Sequence, residues 1–162
     1  KPLKEDARFP STRELAAITL CAVLMQLVLG AGFRHGAFGI VPHITGALVV
    51  SSLMIWTALT ILHRYGGDAY LRRPALAMLV LLSCQVALGI LAYVARLNSR
   101  FDVQPLEPMI TLTVAHVVVG ALTLASVVVL TLRCWRSLSP SRERTGQTQV
   151  SFTPSGKVVT PL

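Results

Sequence analysis

Two histidines stand out in this sequence because each opens the same phrase. His43-Ile44-Thr45-Gly46-Ala47-Leu48 returns later as His116-Val117-Val118-Val119-Gly120-Ala121-Leu122. A second phrase precedes each copy, first as Gln26-Leu27-Val28-Leu29-Gly30 and then as Gln85-Val86-Ala87-Leu88-Gly89. Self-similarity of this kind marks a duplicated structural unit. An ionisable side chain inside an apolar stretch is read first as functional. Two like imidazoles, one from each copy of a unit, face each other across a pseudo-two-fold axis. That is the ligand set of a six-coordinate haem iron. Gly46 and Gly120 follow their histidines by three and four residues, so they share a helix face with them and leave bare surface for a flat macrocycle. Thr113, one turn before His116, is a candidate to orient that imidazole. The plain alternative is a set of polar residues gluing helices together.

The elements that would position these residues are legible from composition. The chain has 162 residues, is 53% hydrophobic and carries 14% charged residues, against about a quarter in an ordinary soluble domain. Its apolar residues gather into runs at 15–33, 43–62, 75–95 and 109–132, none of which contains an acidic, lysine or arginine side chain. Each is near the roughly 20 residues that cross a bilayer core, and backbone in lipid must be helical. Short connections make neighbouring helices antiparallel. The expected fold is therefore all-α, an up-down four-helix membrane bundle built from a repeated helical hairpin. It divides into an N-terminal segment 1–13, a bundle 14–136 and a polar tail 137–162. Pro42, Pro74 and Pro108 are each expected at the opening of a helix, and Tyr65-Gly66-Gly67-Asp68 as a turn.

The net charge of +8 reads as topology rather than nucleic-acid binding. Lys1, Lys4, Arg8 and Arg13 precede the first run, Arg64, Arg72 and Arg73 lie between the second and third, and Arg133, Arg136, Arg142 and Arg144 follow the fourth. The two other connections hold only Arg34, Arg96 and Arg100. The positive-inside rule then places both termini on the cytoplasmic or matrix face of a prokaryotic or mitochondrial inner membrane. The first run reads as a span, too long for a cleavable signal. A chain beginning at Lys1 leaves room for residues upstream. Cys21, Cys84 and Cys134 are isolated and form no Cys-x-x-Cys pair. The tail has no core-forming pattern and is expected to be disordered by itself; a larger membrane complex or a homo-oligomer would give it something to order against.

Depth along the helices tests the pairing. At 1.5 Å per residue, His43 lies about 31 Å above Arg64 and His116 about 25 Å above Arg133, so both belong to the outer part of the bundle. Modest tilt absorbs the roughly 6 Å difference. Arg34, Arg96 and Arg100 are the outer cations suited to haem propionates, guanidinium matching carboxylate. His35 could bond a propionate or a substrate, or simply face water. His63, at the opposite boundary, reads as a solvated interfacial residue, and Gln26 and Gln85 as interhelical hydrogen-bonders.

On these residues the sequence resembles the haem A synthase family, cytochrome oxidase assembly proteins that convert haem O to haem A. The segments that carry the resemblance are Gln26 to His35, His43 to Val50, Arg72 to Gly89 and Ala115 to Leu132. Members typically hold two tandem four-helix halves, each presenting a histidine from its second and its fourth helix. His43 and His116 occupy those positions, so the chain looks like one half, a form known in the family. The resemblance implies haem as cofactor, b-type or haem O and haem A as substrate and product, and an oxidoreductase if the chain is active. The sequence departs from the pattern around the second-helix histidine, usually preceded by glutamate and followed by arginine. Here Val41-Pro42 precede His43 and Ile44 follows it. The first outer connection is shorter and lacks the cysteine pair many members have. A non-catalytic b-type cytochrome, or a structural subunit of a respiratory or photosynthetic complex, is the competing expectation.

Overall fold

In the computed structural model, which describes residues 4–6, 9–98 and 107–140, four helices follow one another: α1 (Thr12–Arg34), α2 (Val41–Tyr65), α3 (Ala69–Asn98) and α4 (Glu107–Ser137). All four are long and apolar enough to cross a membrane, and the chain is a multi-pass membrane protein. Each helix packs on both its neighbours in a ring of order α1-α2-α3-α4, most closely within the hairpins α1–α2 and α3–α4. Residues 4–6 and 138–140 lie together at one end, which we call the terminal end; His43 and His116 lie toward the other.

Local chemistry sets the helix limits. Ser11 caps α1, its hydroxyl accepting from the Glu14 N–H while the Glu14 carboxylate accepts from the Ser11 N–H, a reciprocal capping box. At the far end of α1 the Gly36 N–H bonds to the Phe33 carbonyl and the Ala37 N–H to the Gly32 carbonyl. Gly36 takes φ +72° there, the left-handed conformation this helix stop requires. Pro42 sits in the first turn of α2 and Pro108 in that of α4, as expected.

Pro74 does not open α3, which starts at Ala69. Asp68 is the cap, its side chain accepting from the Tyr70 N–H at 3.0 Å and its carbonyl from Leu71 and Arg72. Pro74 lies inside the helix and cannot donate to the carbonyl four residues back, that of Tyr70. Arg133 of α4 donates to that carbonyl instead, at 2.8 Å. The missing backbone bond is thus made by a side chain from the next helix.

The fully buried side chains crowd the terminal half. They stop at Val23 in α1 and Leu82 in α3, begin at Val50 in α2, and in α4 run from Gly120 to Cys134. Met54, Ala58, Ile61, Leu71, Met78 and Leu130 form their centre. Polar glue is threaded through this core. Thr57 and Thr19 hydroxyls lie 2.7 Å apart, and Thr19 donates to its own helix's Leu15 carbonyl, so Thr57 is the donor across the pair. Thr57→Val should therefore lower stability by about 0.6–1 kcal/mol in detergent. Adding Thr19→Val should cost almost nothing more; strictly additive losses in a double-mutant cycle would refute the bond.

A clasp that the sequence did not suggest closes the terminal end. Lys4–Asp6 (β1) and Leu138–Pro140 (β2) pair as parallel strands, Lys4 opposite Leu138 and Asp6 opposite Pro140, and Leu138 is fully buried. Residue 138 belongs to the segment read from sequence as a polar tail. The remainder of that tail, 141–162, lies outside the described residues.

Candidate functional site: two interlocked histidines

Each hairpin contains the same four-residue lock. In the first, Gln26 and Gly30 lie one turn apart on α1, and His43 and Gly46 one turn apart on α2. A Cβ placed on Gly30 would meet His43 Cε1 at 3.1 Å, and one on Gly46 would collide with Gln26 Oε1. In the second, a Cβ on Gly89 would meet His116 Cε1 at 3.0 Å and one on Gly120 would meet Gln85 Nε2 at 3.1 Å. Each glycine is a socket for the polar side chain of the opposite helix. The repeated phrases are repeated because the sockets and the plugs must match.

The expectation that Gly46 and Gly120 leave bare ground for a macrocycle is thereby corrected, since the glutamine side chains occupy it. Thr113 is corrected too. Its hydroxyl donates to its own helix's Met109 carbonyl at 2.7 Å, and Gln85 orients His116 instead. The expected interhelical bonding of Gln26 and Gln85 is what the structure contains.

The orientation of the two glutamine amides sets which imidazole tautomers match them. Gln26 Nε2 stands 3.0 Å from His43 Nδ1 and 2.9 Å from the His43 carbonyl; an amide nitrogen only donates, so Nδ1 accepts and the proton sits on Nε2. His116 is the reverse. Its Nδ1 faces the Gln85 carbonyl at 3.2 Å and so donates, while its Nε2 accepts from Gln85 Nε2 at 3.2 Å. An Nδ1–H held by a carbonyl is the state of a metal-ligating histidine. In both locks the amide oxygen is left over. Gln26 Oε1 and Gln85 Oε1 are the buried side-chain polar atoms without a hydrogen-bond partner among the described residues, each costing about 1–3 kcal/mol.

His43 and His116 come to the same half of the bundle, each ahead of the first buried residue of its helix. Among the described residues that half has no buried side chain beyond the glycine socket of α4, and both imidazoles are only partly buried. Phe33 stacks on His43 with rings inclined by 10° and centroids 6.4 Å apart. Arg96 in turn covers the Phe33 ring at 4.9 Å. Arg34 and His35 are exposed at the end of α1, and among the described residues no hydrogen bond or ring contact ties them to either histidine. The outer cation nearest His43 by this chain of contacts is Arg96, on a different hairpin. Arg100 lies outside the described residues, and His63 is exposed near the terminal end. No cluster of three or more His, Cys, Asp or Glu occurs among the described residues.

The chain matches no protein-family model, no curated protein and no solved structure.

Proposed function

We propose that this chain is a haem-binding membrane protein in which His43 and His116, one from each hairpin, are the axial ligands of a single haem. The duplicated lock carries this reading, because it delivers one oriented imidazole from each hairpin to the same half of the bundle. The donor set fits the group: two neutral imidazoles, a surrounding half without a sealed core, and an arginine on the far hairpin suited to a carboxylate. When bound, the haem would supply one-electron redox chemistry at its iron.

The side chains have defined tasks in this reading. The Gln85 carbonyl keeps the His116 proton on Nδ1, and the Gln85 amide would have to withdraw from Nε2 to free that lone pair. A half-turn of the Gln26 amide would bring its orphaned Oε1 against His43 Nδ1, move the proton there and expose the Nε2 lone pair. That turn gives up the bond to the His43 carbonyl. Gly30 and Gly89 let each ring pack directly against the neighbouring helix.

The resemblance to haem A synthases makes oxidation of haem O to haem A one use of such a site. Transfer of electrons as a non-catalytic b-type cytochrome, within a respiratory or photosynthetic complex, is the other. Val41, Pro42 and Ile44 around His43 offer no proton-transfer group, which favours the second. The arginine distribution supports termini on the cytoplasmic or matrix side of a prokaryotic or mitochondrial inner membrane. Exposed apolar side chains such as Val28, Val80, Val117 and Val118 suit lipid, other subunits or a second copy.

Protein purified from a host that makes haem O but no haem A tests both uses. One low-spin b-type haem per chain in a pyridine haemochrome spectrum, with no haem A in the cells, supports the electron carrier. Accumulation of haem A supports the synthase. A folded protein that takes up no haem in that host sinks both.

A further inference from the structure

At the terminal end a second site, unconnected with the histidines, is built around the proline of α3. Ala69, Tyr70, Arg73, Pro74, Ala77 and Arg133 line a cavity of about 550 Å³. Arg133 is fixed in its wall by two contacts, the bond to the Tyr70 carbonyl at 2.8 Å and a guanidinium-to-ring contact with Tyr70 at 4.5 Å. Guanidinium carries five N–H donors, and the carbonyl takes only one position on it. Arg73 stands one turn from Tyr70 on the same helix face.

Neither arginine has a carboxylate partner among the described residues, because the nearby acids are committed elsewhere. Asp68 pairs with Lys4 at 2.9 Å and Asp6 with Arg64 at 3.1 Å. Among the described residues the cavity therefore presents two guanidinium groups without a carboxylate partner. Its floor, Pro74 and Ala77, is apolar, and exposed Leu76 and Val80 continue along α3 toward the membrane interior. Trp135, exposed nearby in sequence on α4 with Arg13 over its ring at 4.2 Å, has the amphipathic character of an interfacial anchor.

We infer that this cavity binds the phosphate headgroup of an anionic phospholipid, with Arg73 and Arg133 on the phosphate and an acyl chain along Leu76 and Val80. Basic pockets between transmembrane helices at the membrane interface take such headgroups, and each cation near the surface is worth about 1 kcal/mol. A free phosphate would satisfy the arginines and leave the apolar floor unused, so the lipid is the ligand.

Native mass spectrometry of the full chain in detergent, titrated with dioleoyl phosphatidylglycerol or dioleoyl phosphatidylcholine, tests this. Phosphatidylglycerol should bind with a one-to-one adduct that phosphatidylcholine does not form. Arg73→Gln should weaken it about fivefold, the loss of one cation, without changing the melting temperature of the lipid-free protein. Arg136→Gln removes the same charge outside the cavity and should leave binding as it is. Equal binding of the two lipids, or equal losses from Arg73→Gln and Arg136→Gln, would overturn the site. Displacement of the lipid by inorganic phosphate alone would overturn the lipid assignment in favour of the free ion. Arg133→Gln should lose the adduct and also destabilise the protein, because the Tyr70 carbonyl then has no donor.

Discussion

On the haem ligation proposed above, replacing His116 with alanine is expected to remove the six-coordinate spectrum while the helices persist. His116 lies in the middle of α4, where no neighbouring histidine can take its place; His35 is exposed at the end of α1 and His63 lies near the terminal end. Partners that merely orient a metal ligand are worth about 10–100-fold in metal affinity. Loss of the ligand itself should exceed that, and Gln85→Leu should fall within it. Folding cost should be modest by comparison. The Gln85 carbonyl and amide each lose a partner, at about 1–3 kcal/mol per stranded group, in the half of the bundle that contributes least to the core. Circular dichroism at wild-type intensity beside a lost low-spin absorption band is therefore the expected pair of observations. His43→Ala should do the same. If either replacement left the low-spin spectrum untouched, the two histidines would not be the axial pair.

Gly89 and Gly30 explain why the site was only half legible in the sequence. The repeat of Gln, Gly, His and Gly could be read directly, and with it the likeness of the two hairpins. Which glycine served which partner could not be read, because a helix face says nothing about what the opposite helix delivers. Gly46 shares a face with His43, so it invited a macrocycle; the structure fills it from α1, with Gln26. The same blindness hid the approach of Phe33 and Arg96 to His43. Helix existence was the opposite case. Apolar length and the scarcity of charge fix a span without any knowledge of its neighbours, and all four were legible. Pro74 shows the limit of that reasoning. Local rules place proline at a helix start, but Asp68 had already supplied a cap, and Arg133 from α4 makes the interior position tolerable. The strand pair of Lys4–Asp6 and Leu138–Pro140 has no periodic signature at all, being three residues on each side.

That strand pair supports the other large effect, expected at Arg64. Asp6 is 4% exposed, and its carboxylate accepts from the Thr12 N–H, the first free donor of α1, and from Arg64 Nη1 at 3.1 Å. Arg64 reaches the Thr12 hydroxyl as well, at 3.4 Å. One carboxylate thus ties the N-terminal strand to the start of α1 and the end of α2, and through the strand to Leu138 after α4. Removing one partner of a buried pair strands the other charge, at about 3–5 kcal/mol. The Arg64 side chain is 25% exposed, which points to the lower end, about 3 kcal/mol. Arg64→Met should lower the melting temperature clearly more than Arg72→Met, which removes a charge with no such buried partner. Asp6→Asn in the Arg64→Met background should restore part of the loss, because the stranded charge is gone. Equal losses for Arg64→Met and Arg72→Met would mean that the pair contributes nothing. Since the clasp and the histidines lie at opposite ends of the bundle, haem absorption per folded molecule should be unchanged in all three variants. A spectrum that shifted with Arg64→Met would reveal coupling along the helices that the separation of core from site does not predict.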